Sequence, residues 1–587
     1  MTLTTDLSAI VGAAFAAEGL DASFGEVRPS DRPDLAQFQC NGALAAARKR
    51  KTDPRALGEA VAARLKDHPA FAALSIAGPG FLNLTLTDRF LSERVNALGT
   101  DDHIGGWRRE AGETVVIDYG GPNVAKPLHV GHLRSAIIGE ALKRLMRFVG
   151  DDVVSDIHLG DWGLPMGQLI TEIKRERPDL PFFDAGFKGP YPSEPVVSLE
   201  DLERLYPRAA AASKADPGRA EEARRATAEL QDGRAGYRAL WAQFIAVSRA
   251  AIEREYADLG VSFDWWKGES DADPLVEELA LDLRKNGLTE TSDGAEIIRV
   301  ARDGDRKEIP PLILFKSDGS VLYGTTDLAT ILDRKKAIDP DRILYVVDQR
   351  QALHFEQVFR AADRAGVFPE ARLEHLGFGT MNGPDGKPFK TRAGGVLKLR
   401  DLIDMVEAKA RERLAESGMA EGYGEAEVAD IAHKVGVAAL KFADLSNPRT
   451  SDYVFDLDRF MAFEGKTGPY LLYASVRVRS VLAKAESAGA GAPGEVRVAA
   501  PEETSLALSL LAFADAVKLA YEKRMPHFLC DHAFALAQTF SKFYAACRIA
   551  DEADPGKRAS RLALALAVGR QLDLALGLLG IQTPDRM

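Results

Sequence analysis

VVIDYGGPNVAKPLHVGHLRSAIIGEALKRLMRFVG, residues 115–150, decides how the rest of the chain is read. Val115, Val116 and Ile117 form the β-branched run of a buried parallel strand. Gly120, Gly121 and Pro122 then turn the chain without a side-chain penalty. Beyond His132 the apolar residues Ile138, Leu142, Leu145, Met146 and Val149 recur at helical spacing, and Gly150 reads as the residue that closes the helix. The loop between strand and helix therefore brings His129 and His132 to a helix N-terminus, where backbone N–H groups and the macrodipole favour phosphate. Two imidazoles three residues apart face one ligand, and Gly131 between them lets a nucleotide approach the backbone.

The chain of 587 residues is long enough for about three to four domains. Hydrophobic residues make up 46% and charged residues 28%, an ordinary globular balance. No apolar run approaches the roughly 18 residues of a membrane span, so no membrane association is expected. The N-terminal stretch carries Asp6 where an export signal needs positive charge, and its periodicity predicts a helix over residues 6–18. Cys40, Cys530 and Cys547 are too few and too scattered for a disulfide framework or a cysteine zinc site, which points to a reducing cytoplasm. The formal charge of −12 argues against a protein that coats nucleic acid, while leaving room for a local basic groove.

Three blocks follow along the sequence. Residues 1–110 read as a small α/β domain, with FQCNGALAAARK from Phe38 and the strand-like GPGFLNLTL from Gly78. Residues 111–400 alternate strands and helices as a doubly wound nucleotide-binding sheet, interrupted at about 170–290 by a charged helical insertion. Its alanine-rich part, AAAASKADPGRAEEARRATAEL, reads as one solvated helix. Residues 401–587 are almost wholly helical, with Ala/Leu periodicity from Leu506 to Gly580. The fold class is thus multidomain, α/β followed by all-α.

HxGH in this setting resembles the HIGH signature of class I aminoacyl-tRNA synthetases, and PNVAKPLHVGHLRSAIIG, from Pro122 to Gly139, resembles that of arginyl-tRNA synthetases in particular. The resemblance extends from Phe38 to Met587. It implies a Rossmann-type catalytic domain, an N-terminal additional domain that contacts tRNA, and a C-terminal helical domain for stem contact and anticodon binding. It also implies ATP, with Mg²⁺, as co-substrate, and L-arginine and tRNA(Arg) as partners of a cytoplasmic monomer. The reaction would be attack of the arginine carboxylate on the α-phosphate, giving an adenylate that is passed to the tRNA. Such chemistry asks the protein to position reactants and to absorb growing negative charge.

His129, His132 and Lys126 are the expected catalytic groups on that reading, with Pro122, Asn123 and Gly131 completing the ATP contacts. GKPFKTRAGG, from Gly386, resembles the family's variant of the KMSKS loop; Lys390 is its catalytic candidate, and Lys387 and Thr391 are further ATP contacts. Taken alone it is equally a solvated basic turn. Choosing arginine needs a carboxylate, because a planar donor fork pairs best with one. Asp118 and Asp327 qualify, with Glu269 as a third acid. The resemblance puts Tyr323 and Asp327 around the guanidinium and Asn123, His132 and Gln351 at the α-amino and carboxylate end. Asp327 is also open to reading as a helix cap after Thr325 and Thr326.

For tRNA the candidates are Phe81 and Asn83 in the first domain and Tyr470, Tyr473 and Arg477 in the last, where aromatics stack on unpaired bases or belong to a core. Two departures from the family pattern stand out. Gly120 and Gly121 replace the usual small hydroxyl or alanine residues and would loosen their loop, and Leu472 and Ser475 stand where Gln and His are common. Two other classes stay open: another class I synthetase or HxGH nucleotidyltransferase, and a noncatalytic tRNA-binding paralogue. The second would have no chemical reason to keep Lys126, His129, His132 and Asp327 together.

Overall fold

The computed structural model describes residues 2–317, 319–383, 385–387, 389 and 397–587. The chain falls into two compact units. One comprises residues 1–110, 411–442 and 460–587; the other comprises 111–410 and 443–459. The segment 443–459, which the sequence places with the C-terminal helices, thus belongs to the unit that holds the HxGH loop.

In that second unit, four parallel strands lie in the order Leu373–His375, Arg342–Val346, Thr114–Tyr119, Asp152–Asp156. Val115, Val116 and Ile117 are fully buried, as a strand covered on both faces requires. The first strand in sequence has the second on one side and the third on the other. The order therefore reverses between Thr114–Tyr119 and Arg342–Val346, and ligands of such sheets bind outside the strand carboxyl ends at that point. Helix Val130–Val149 packs on the sheet and ends at Gly150, φ 110°, the left-handed closing residue its sequence predicts. The insertion is helical from Leu164 onward. Its alanine-rich part is two helices, Leu199–Ala215 and Pro217–Gln231, because Asp216 caps the second and Pro217 supplies its first turn. Neither is merely solvated, since Leu202, Leu205, Ala209, Ala223, Ala226 and Leu230 are buried. A three-stranded antiparallel sheet, Glu290–Ser292, Ala295–Ile298 and Leu312–Phe315, precedes helix Tyr323–Ile338.

The first unit contains the N-terminal four-stranded antiparallel sheet, in the order Val27–Pro29, Phe38–Cys40, Phe81–Leu86, Phe71–Ala77, and the C-terminal helices. By length and mean composition alone, Pro501–Lys523 is apolar enough to cross a membrane. It consists of two helices broken at Ala512, whose Leu506, Ala507, Leu510, Phe513, Ala514 and Val517 are buried within this unit.

Candidate active site

The loop after the first strand has a fixed shape. Gly120 sits at φ 72°, and its N–H donates to Ser135 Oγ at 2.8 Å while its carbonyl accepts from Tyr256 Oη at 2.5 Å. A Cβ on Gly121 would lie 2.2 Å from the His158 carbonyl oxygen. The two glycines therefore tighten the loop rather than loosen it: one supplies a left-handed turn and the other a close approach of two backbones. Val124 N–H donates to the Gly160 carbonyl at 3.0 Å, and Asn123 forms a parallel bridge with Gly160, so the loop runs alongside the segment that leaves the second strand.

His129 is the N-cap of helix Val130–Val149. Its Nδ1 accepts from Gly131 N–H at 3.0 Å, and the Nδ1 of His132 accepts from His129 N–H at 3.1 Å. An imidazole that accepts at Nδ1 carries its proton on Nε2 when neutral, so both rings are held as Nε2–H donors. Burial, and then Lys126, lowers the His129 pKa. The His132 pKa is lowered to about 3, first by burial and then by His129. At neutral pH the pair is two uncharged N–H donors with ring centroids 3.9 Å apart. Among the helix's first amides, Val130 N–H already donates to Leu397, Gly131 N–H to His129 Nδ1 and His132 N–H to the His129 carbonyl. That corrects the sequence reading of free backbone donors there: the imidazoles are the groups presented to a ligand.

Lys126 does not point freely outward. Its ammonium lies 4.8 Å from the centre of the Tyr206 ring, on insertion helix Leu199–Ala215. Three residues earlier on that helix, Glu203 holds Lys398 at 2.7 Å. The backbone of Leu397–Leu399 is in turn knitted to the histidine loop, with Leu399 N–H donating to Leu128 at 2.9 Å. Lys387 is exposed on the turn after Asn382. Lys390 and Thr391 lie outside the described residues.

The acids gather near the same strand ends, but in different states. Asp118 faces a buried guanidinium of this chain: Arg334 Nη2 bonds both Asp118 and Asp156, the latter at 2.7 Å. Burial raises the Asp118 pKa against the pull of Arg334, and Asp156 raises it further. Its role as an acceptor for an incoming guanidinium is corrected on that ground, because a resident cation occupies it. Asp327 is not the helix cap, since helix Tyr323–Ile338 begins after Leu322. Its carboxylate instead meets His354 Nε2 at 2.5 Å, and that bond raises the His354 pKa. Glu269 begins helix Glu269–Lys285 and its N–H donates to Leu159 at 3.0 Å. Burial foremost raises its pKa, and the charges of His158, Asp161 and Asp327 reach it. Asp161 is tied to the hydroxyl of Ser270 at 2.6 Å.

Asn123, Gly131 and Gln351 are exposed, Pro122 is buried, and Tyr323, 73% exposed, stands one helical turn before Asp327. The sequence reading overlooked His158, Asp161, His354 and Tyr206. His158 was findable, because it lies just past the carboxyl end of a parallel strand. Nothing local marks Tyr206.

In the other unit Asn83 is buried and its Oδ1 accepts from Gln39 at 3.0 Å, which corrects its choice as a surface contact. Phe81 is half-buried. Tyr470, Tyr473 and Arg477 share one half-buried face of helix Gly468–Ser487, with Tyr470 edge-on to Phe534 and Arg477 over the Tyr544 ring.

Three family models match the chain. Residues 94–457 match the catalytic domain of class I tRNA synthetases of the (R) type, residues 471–587 the DALR anticodon binding domain, and residues 1–86 the arginyl tRNA synthetase N terminal domain. The chain is 56% identical to an arginine–tRNA ligase of Hyphomonas neptunium and 47% identical to one of Alkaliphilus oremlandii, with 100% of each chain covered. Among solved structures it resembles an arginyl-tRNA synthetase of Plasmodium falciparum (TM-score 0.83, 23% identity, covering 100% of this chain and 99% of that one). It also resembles one from Thermus thermophilus (TM-score 0.79, 22% identity, 100% of both chains).

Proposed function

This chain belongs to the arginyl-tRNA synthetase family, and from that premise we infer that it joins L-arginine to tRNA(Arg) in translation, using ATP to form an arginyl-adenylate. The observation that carries the site assignment is the pair of neutral Nε2–H imidazoles, His129 and His132, at the switch point of the sheet. In the first step an oxygen of the arginine carboxylate bonds to the α-phosphorus and the bond to pyrophosphate breaks. The two N–H groups donate to phosphate oxygens whose charge rises in that transition state. Neutral donors suit this role: they stabilise a developing oxyanion without forming a tight ion pair with the ground-state triphosphate. In the second step a ribose hydroxyl of the tRNA attacks the adenylate carbonyl and AMP leaves.

Asp327 and Glu269 are assigned to the guanidinium, with Tyr323 covering it, and Asn123 and Gln351 to the other end of the amino acid. Arginine binding then replaces the His354 imidazole as the partner of Asp327. Lys126 and Lys387 are assigned to the β- and γ-phosphates, which asks Lys126 to leave the Tyr206 ring. Mg²⁺ enters as MgATP, on the phosphates; the described residues contain no cluster of three or more histidine, cysteine or acidic ligands for it. Tyr470, Tyr473 and Arg477 are assigned to unpaired anticodon-loop bases, through stacking. We place the enzyme in the cytoplasm as a monomer. Charging of purified tRNA(Arg) with labelled arginine tests the reading: arginine, and not lysine or citrulline, is esterified. Transfer of another amino acid, or of none, would refute it.

A further inference from the structure

We propose that Arg134 is a positioning residue that sets the spacing between the His129/His132 pair and the stem of the loop that carries Lys387. The proposal rests on the reading that both elements face the phosphates of ATP. Arg134 lies two residues beyond His132 on the same helix and is 2% exposed. Its Nε meets Asp444 at 2.8 Å, and its two other nitrogens donate to the carbonyls of Ser451 at 3.0 Å and Arg449 at 3.3 Å. The planar fork thus grips one short stretch of backbone at two points while its Nε faces Asp444.

That stretch holds the loop stem from its other side. Arg449 accepts from Gly379 N–H at 3.0 Å, and Asp452 Oδ1 accepts from Thr380 N–H at 2.6 Å. Tyr453 and Val454 then pair in parallel with Met381 and Asn382, and Phe455 stands edge-on to Phe389, 5.8 Å between ring centres. A Cβ on Gly379 would fall 2.7 Å from the carbonyl of Ser451 and 2.5 Å from Asp452 Oδ1, so the two backbones approach closely enough to require glycine. Residues 449–455 therefore form a strut between the histidine helix and the entry to the phosphate loop. The exit of that loop, at Leu397–Leu399, is tied to the histidine loop directly. Asp444 is buried and its pKa is raised, chiefly by burial, with Arg134 pulling it down. An ion pair taken so far out of water is weak support for stability and good support for geometry.

The test measures KM for ATP and for arginine, together with kcat, in ATP–pyrophosphate exchange with tRNA(Arg) present. In Arg134→Met/Asp444→Leu the ion pair is replaced by apolar groups of similar size, so the fold survives while the grip is lost. In Asp452→Ala, at an exposed position, only the far end of the strut is released. Both variants are expected to unfold within a few degrees of the parent and to lose about 10- to 100-fold in kcat/KM for ATP, with KM for arginine unchanged. If the double variant fails to fold, Asp452→Ala decides. An unchanged kcat/KM for ATP, or equal losses for ATP and arginine, in a folded variant would overturn the proposal. Absence of arginine-dependent exchange in the unsubstituted protein would instead overturn the functional reading beneath it.

Discussion

At the residue scale, the site is governed by protonation states that sequence does not display. HxGH identified the two histidines, but only their Nδ1 bonds fix them as neutral Nε2–H donors. Replacing either His129 or His132 by Ala is expected to lower kcat for adenylate formation by about 10²- to 10³-fold, the range for losing one preorganised donor. Steady-state exchange kinetics check this, and near-parental rates in both variants would remove them from the chemistry. The acids are a harder case. Asp118 and Asp327 look alike in the sequence, yet Asp118, on a strand of the sheet, faces Arg334, and Asp327 faces His354. Asp327 raises the His354 pKa above its usual value, and Glu269 also faces Asp327. As pH falls through that raised pKa, His354 becomes a cation paired to Asp327 and competes with the guanidinium. KM for arginine is therefore expected to rise toward acid, starting above pH ~6.5. In His354→Asn this acid limb should flatten; an unaltered limb would show that His354 does not control the pocket. Asp327→Asn should weaken arginine binding by about 2–5 kcal/mol with ATP binding little changed, read by calorimetry.

Between single residues and the whole chain stand the strand–loop–helix elements, where the sequence was most legible. Val115–Ile117 and the apolar spacing from Ile138 to Val149 fixed a strand and a helix, because burial leaves an unambiguous period. Close approaches were not legible, since they depend on what the glycines meet. Gly120 and Gly121 read as a loosened loop and are the reverse. Gly139 faces the Tyr119 ring, where a Cβ would come within 2.2 Å. Gly139→Ala is accordingly expected to destabilise the helix–strand contact by about 1–3 kcal/mol, measured by denaturant unfolding; a change below about 0.5 kcal/mol, ordinary for an unconstrained site, would contradict that packing. The alanine-rich stretch shows the opposite failure. Composition announced a helix, but the Asp216–Pro217 break and the role of Tyr206 against Lys126 depend on tertiary contacts.

For the whole molecule, resemblance read the family and its order of parts, while the allotment of chain to compact units had to come from three dimensions. Residues 443–459 lie far from the HxGH loop in sequence and yet belong to its unit. A chain ended near Lys398 would lose Asp444 and expose Arg134, so truncation there is a poor way to separate catalysis from RNA binding. Dependence on tRNA is better tested with the full chain. Activation of arginine is expected to require bound tRNA, which in physical terms would favour a catalytic arrangement that is minor without it. Lys126, held against Tyr206, is one group that such a shift would release. The most direct measurement of the central claim is ATP–pyrophosphate exchange by the full-length protein across the twenty amino acids, each with and without tRNA(Arg). Exchange is expected with arginine and no other amino acid, and only when tRNA is present. Exchange driven by a different amino acid, or none with arginine and tRNA together, would contradict it.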